Sequence, residues 1–140
     1  MLDRGLHWDA ISGVTEGAIN AYILSLNADE PKDASDALEE FWHEIGSRHV
    51  VSHHPGGWVQ GVLLEDGMYL NHQLFDLLDE KFGPASPYDQ DATNAKTKLN
   101  LAVANLANGT FTTFNQNFKG KDLLKAIKAS VSYPVTFEPF

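Results

Sequence analysis

Apolar positions fall along this chain in short runs of changing rhythm, and the changes mark its elements. Trp8 to Ser12 carry apolar and β-compatible side chains and read as a short strand, followed by a five-residue turn, Gly13-Val14-Thr15-Glu16-Gly17. From Ala18 to Leu26 the sequence is helical and apolar on almost every face, the mark of a buried helix. A polar turn over Asn27 to Lys32 contains Pro31, and Asp33 is placed to cap a second helix. In that helix Ala34, Ala37, Leu38, Phe41, Trp42 and Ile45 recur at helical spacing, Glu39, Glu40, His43 and Glu44 turn outward, and Gly46 ends it. Ser47 to Tyr69 lacks a period and reads as loop with short extended pieces. A third helix begins at Asn71, with Leu74, Leu77, Leu78 and Phe82 inward, and stops at Gly83-Pro84. Ala85 to Lys96 is rich in Pro, Asp, Ser and Asn, an exposed loop.

The rhythm then changes to two. Leu99, Leu101 and Val103 alternate with Asn100, Ala102 and Ala104, and the small second set predicts a strand covered on both faces. Asn108-Gly109 predicts a hairpin, with Thr110 to Phe114 as the returning strand. Asp122 to Lys128 is a short helix with Leu123, Leu124 and Ile127 inward. Helices alternate with strands, without repeats, so the fold class is α/β in a single domain.

Composition narrows the function. With 140 residues the chain can bury a real core. A net charge of −9 argues against nucleic acid, whose phosphates need a basic face, and more weakly against an anionic membrane surface. There is no cysteine, hence no disulfide and no thiolate metal site. The first residues lack the apolar run of a signal peptide, and no run is long enough to span a bilayer.

The chemistry concentrates at the first turn. Strand, G-x-T-x-G and helix form the arrangement of a nucleophile elbow. The two glycines, Gly13 and Gly17, let the backbone bend sharply and pack closely, with Val14 and Glu16 flanking Thr15 at the tip. There the unpaired N–H groups and the helix dipole favour negative charge, as acyl transfer requires for its oxyanion. The same glycines also fit an ordinary strand-to-helix junction.

The segments in their order resemble the patatin-like phospholipase family. W-D-A-I-S-G-V-T-E-G-A-I-N-A from Trp8 is similar to that family's elbow and following helix, with a serine expected where Thr15 stands. F-W-H-E-I at 41–45, L-A-V-A-N-L-A-N-G at 101–109 and A-I-K-A-S-V-S-Y-P-V-T-F-E-P-F at 126–140 resemble later family segments. The resemblance covers nearly the whole chain. It implies a three-layer fold, a central mostly parallel sheet flanked by helices, and hydrolysis of lipid acyl esters by a Ser–Asp dyad. It implies no cofactor and no metal.

The sequence departs from that pattern at three points. It begins after the place of the family's glycine-rich oxyanion loop, it ends before the place of the catalytic aspartate, and Thr15 holds the nucleophile position. Asp66-Gly67 lies too early in the order to be that aspartate. The expectation is therefore a partial domain over residues 1–140, truncated at both ends, with its catalytic Asp not in this chain. Threonine's methyl stiffens χ1 and resists positive φ. Loss of the oxyanion loop alone costs roughly two to three orders of magnitude in rate. Little or no hydrolase activity follows. The alternative is a non-catalytic relative that binds lipid or a protein through the same pocket. The expected partner is a lipid acyl ester as substrate or ligand. An uncovered sheet edge beside the first strand adds a protein partner or self-association. The expected location is the cytoplasm or the membrane periphery.

Other candidates have simpler readings. His43, His49, His53 and His54 suggest a metal-binding module, His49 and His53 having the spacing of one helix face. Pro55-Gly56-Gly57 instead makes these solvated loop histidines, and His54-Pro55-Gly56-Gly57 an ordinary turn rather than an oxyanion loop. Glu16 reads as an acid in the first turn of a helix. Asn20 reads as a hydrogen-bond partner of a neighbouring loop, Trp42 and Trp58 as core, and Ser130 as structural.

Overall fold

The predicted strand before the turn forms, shortened, as β1, Ala10–Gly13, and the chain bends at Val14-Thr15 into α1, Glu16–Leu26. This computed structural model describes residues 8–83, 97–118 and 120–140. The loop expected over Ala85–Lys96 lies outside the described residues. α1 is the buried helix its composition predicts: Ala18, Ile19, Ala21, Tyr22 and Ile23 are shielded from solvent. It lies against β1 and against the later elements β4 (Lys98–Asn105), α2 (Pro31–Ser47) and α5 (Gly120–Val131).

α2 starts two residues before the predicted cap. Pro31 takes the first helical position, where its fixed φ suits the helix and its missing N–H costs nothing, so Asp33 sits in the first turn. Gly46 does not end the helix, which continues to Ser47 until Arg48 turns extended and gives its N–H to Glu44 O at 2.9 Å. Asn20 does find a partner, but on a helix: its Oδ1 accepts the Trp42 Nε1–H at 2.7 Å, joining α1 to α2.

The region without a period holds more structure than its sequence suggests. It contains β2 (Ser52–His53), the helix α3 (Gly57–Leu64) and β3 (Gly67–Leu70). α3 is short and carries no polar stripe, so it has no amphipathic signature, and its glycines imitate turn signals. Gly61 has a packing reason: a Cβ there would stand 2.7 Å from Met68 Cα. α4, His72–Phe82, follows with Leu74, Leu77, Leu78 and Phe82 buried as predicted.

Two mixed sheets result, in an α/β fold. The first has the order β1-β4-β5, with β5 spanning Thr110–Asn115. β1 and β4 run parallel, pairing Ala10 with Lys98 and Gly13 with Leu101. β4 and β5 form the predicted antiparallel hairpin, closed by Gly109 at φ 68° and by Asn108 Oδ1, which accepts the Thr110 N–H at 3.1 Å. The second sheet has the order β2-β3-β6, with β6 spanning Val135–Phe137.

β4 corrects one expectation. Leu99 and Leu101 are fully buried against α1 and α5, whereas Lys98, Asn100 and Ala104 are exposed. Among the described residues only one face of the strand is covered, and the small side chains on the other face meet solvent. β1 likewise has a strand neighbour on one side only among the described residues.

Candidate active site

Gly13 closes β1 and decides how near α1 can come. A Cβ at this position would lie 2.1 Å from the Gly17 carbonyl oxygen, inside any tolerable contact. Only glycine lets the first turn of the helix settle onto the strand end. Gly17 differs: nothing lies within 4 Å of the Cβ it lacks. The close approach expected of both glycines is thus required of Gly13 alone, and Gly17 supplies the carbonyl that Gly13 must not meet.

The sharp bend falls on Thr15, at φ 54° and ψ −130°. A β-branched residue at positive φ is strained, by roughly 1–3 kcal/mol. Val14 at its side is exposed, and Glu16 opens the first turn of α1 as an exposed acid, the place predicted for it. Thr15 Oγ1 donates to the Val14 carbonyl at 2.7 Å.

The N–H groups of the bend are almost all used. Thr15 N–H donates to Ser130 Oγ at 2.8 Å, Gly17 N–H to Val14 O at 3.0 Å, and Ala18 N–H to Thr15 O at 2.9 Å. Glu16 N–H has no acceptor among the described residues.

Beside Thr15 opens a cavity of about 870 Å³, within the range of ligand pockets. Its walls come from the bend (Val14, Thr15), the β4–β5 hairpin (Leu106, Phe111) and the segment from Ser130 to Phe140. Among the described residues none of those lining it is Asp, Glu, His, Lys or Arg. A smaller cavity of about 410 Å³ adjoins it across Val103, Phe114, Ala129 and Phe140. Val135, on the wall of the larger cavity, is the other non-glycine residue at positive φ, 72°. The two strained residues among those described thus line one apolar space.

Thr15, strained at a strand–turn–helix junction, thus lines a cavity whose described lining residues are uncharged. The comparison with known families decides the lineage: the patatin-like phospholipase model matches residues 1–140. The chain belongs to the patatin-like phospholipase family. No curated protein and no solved structure matches it. A patatin-like domain is of the lipid acyl hydrolase type, and the uncharged cavity agrees with a lipid substrate. Among the described residues no helix is long and apolar enough to cross a membrane.

Neither the four histidines nor Trp42 lines this cavity. His43, His49 and His53 are exposed, but His54 is buried, with Nε2 2.9 Å from the Gly67 carbonyl oxygen. The reading of all four as solvated is corrected at His54, which ties the start of α3 to β3. Among the described residues no three His, Cys, Asp or Glu side chains are grouped as a metal site would need. The His54-to-Gly57 stretch is a turn closed by Gly57 N–H on His54 O at 2.8 Å. Trp42 is half-buried against the core, and the Trp58 side chain lies outside those described. Ser130 is buried, lines the cavity and accepts the Thr15 N–H, a contact its sequence position did not suggest.

Proposed function

We propose that this chain binds the acyl chain of a lipid ester in the cavity beside Thr15, and that Thr15 stands in the nucleophile position of a patatin-like elbow framed by Gly13, Val14, Glu16 and Gly17. The observation that carries this reading is the positive φ of Thr15, 54°, on the wall of a cavity whose described lining is uncharged. A β-branched residue adopts such a backbone only where its surroundings impose it.

We further propose that the chain as it stands turns over esters slowly or not at all. An attacking hydroxyl needs a base within hydrogen-bond reach. Thr15 Oγ1 instead donates its hydrogen bond to the Val14 carbonyl, and among the described residues the cavity lining offers no carboxylate or imidazole side chain. These two observations favour binding without catalysis, the alternative weighed from sequence.

Two measurements test the reading. A fluorescent long-chain acyl probe should bind with saturation and be displaced by unlabelled lipid; absence of saturable binding overturns the pocket. Hydrolysis of chromogenic acyl esters by the unmutated chain should not exceed the buffer blank. Turnover that disappears in Thr15→Ala would overturn the inactive reading and make Thr15 a working nucleophile.

A further inference from the structure

We propose that Ser130 is the positioning residue of the Thr15 bend, its hydroxyl standing in for a missing bond of the β1–β4 ladder. The inference follows from the register of that ladder. Gly13 pairs with Leu101, so Thr15, if the strand continued, would stand opposite Val103. In a parallel ladder one strand's bonding residues alternate, each donating to the carbonyl one position before its partner and accepting from the N–H one position after. Asp9 O accepts the Lys98 N–H at 2.9 Å, which makes Asp9, Ile11, Gly13 and then Thr15 the bonding residues. The next ladder bond would therefore join Thr15 N–H to Ala102 O.

Those two groups are joined, but through a side chain. Thr15 N–H donates to Ser130 Oγ at 2.8 Å, and Ser130 Oγ–H donates to Ala102 O at 2.8 Å. One hydroxyl has been inserted into the ladder as a spacer. It lets the chain leave β4 after Gly13 without orphaning either backbone group, which would cost about 1–3 kcal/mol each in a buried setting. A hydroxyl can accept and donate at once, and serine is small enough for the gap. The residue lies on the inward stripe of α5 with Leu123, Ala126 and Ile127, so the helix carries the spacer in on its own packing. By fixing Thr15 N–H, Ser130 holds the strained φ of Thr15. What Thr15 is positioned for rests on the proposed acyl reading; the spacer itself does not.

Amide hydrogen exchange by NMR tests the spacer without relying on ester turnover. Ser130→Ala should speed exchange of the Thr15 amide about ten-fold, the worth of one hydrogen bond, while the amides of Ile23, Leu78 and Leu99 keep theirs. Ser130→Thr, which keeps the hydroxyl, should restore protection. An unchanged Thr15 amide in Ser130→Ala, an acceleration shared equally by the core amides, or no recovery in Ser130→Thr would overturn the proposal. Should Ser130→Ala not fold, the unmutated chain decides. A protected Thr15 amide with a nuclear Overhauser contact to the Ser130 β-protons supports the spacer, and absence of that contact overturns it. Failure of the acyl probe to bind would sink the functional reading and leave these exchange results standing.

Discussion

The two sheets of this molecule use the same devices to different ends. In each, a glycine lets backbone approach backbone where no Cβ fits: Gly13 against Gly17 O, and Gly67 against Phe137, whose carbonyl carbon would stand 2.3 Å from an added Cβ. Each also carries, or leads into, a β-branched residue at positive φ, Thr15 or Val135. In the first sheet the glycine seats a helix, and the strained residue follows on the rim of a cavity above a large apolar core. In the second the glycine seats a strand, and the sheet is tied in by polar contacts. Asn71 Nδ2 donates to Ser132 Oγ at 3.3 Å and to Glu138 O at 3.2 Å, while His54 bonds the Gly67 carbonyl. In the first sheet apolar packing is ample and backs the strained bend. Where it is thin, polar side chains carry the connection.

That contrast can be broken by substitution, starting at the first sheet. Gly13→Ala should cost about 3 kcal/mol or more and lower the midpoint of thermal unfolding for the whole domain, since neither Gly17 nor the helix can yield. Gly67→Ala should cost about 2 kcal/mol. Its accelerated amide exchange should stay within β2, β3 and β6, leaving α1 protected. His54→Ala should cost about 1–2 kcal/mol by stranding the Gly67 carbonyl, again read by exchange confined to the second sheet. Thr15→Gly runs the other way: releasing strained φ should stabilise the fold by about 1 kcal/mol in denaturant unfolding, while removing the hydroxyl.

The smallest effect lies far from both sheets. Arg48 holds the Glu80 carboxyl below the usual carboxylate range, first through their hydrogen bond and then through its charge. A carboxylate lowered in the folded state contributes stability above its unfolded pKa and loses it as pH falls through the folded value. Glu80→Gln should therefore remove a slight acid-dependent loss of stability. The pair is exposed, so the change should be the least of the series in urea melts at acidic and neutral pH.

Much of the first sheet was legible in the sequence because its signals are local. The all-apolar α1, the Asn108-Gly109 hairpin and the inward stripe of α4 need no distant information. α3 was not legible, since a short helix apolar on every side has no period to detect. Nor was the burial of His54, which depends on a carbonyl 13 residues away. At the site, Gly13 and Thr15 could be picked out from G-x-T-x-G. The contact of Ser130 with Thr15 spans 115 positions and could not. One signal did exist: Ser130 continues the apolar stripe of Leu123, Ala126 and Ile127, and a hydroxyl on a buried stripe must find partners.

The parallel register of β1 with β4 has a kinetic consequence. Ala10 pairs with Lys98, so closing that ladder spans most of the chain, whereas the β4–β5 hairpin closes over a handful of residues. Loop entropy must be met before distant contacts reward it, so long-range parallel pairing is intrinsically slow. During synthesis, β1 leaves the ribosome long before β4, its ladder partner among the described residues. The Thr15 N–H can find its acceptor only once α5 has brought Ser130 in. A chain stalled before that moment would present its first strand to any neighbouring chain.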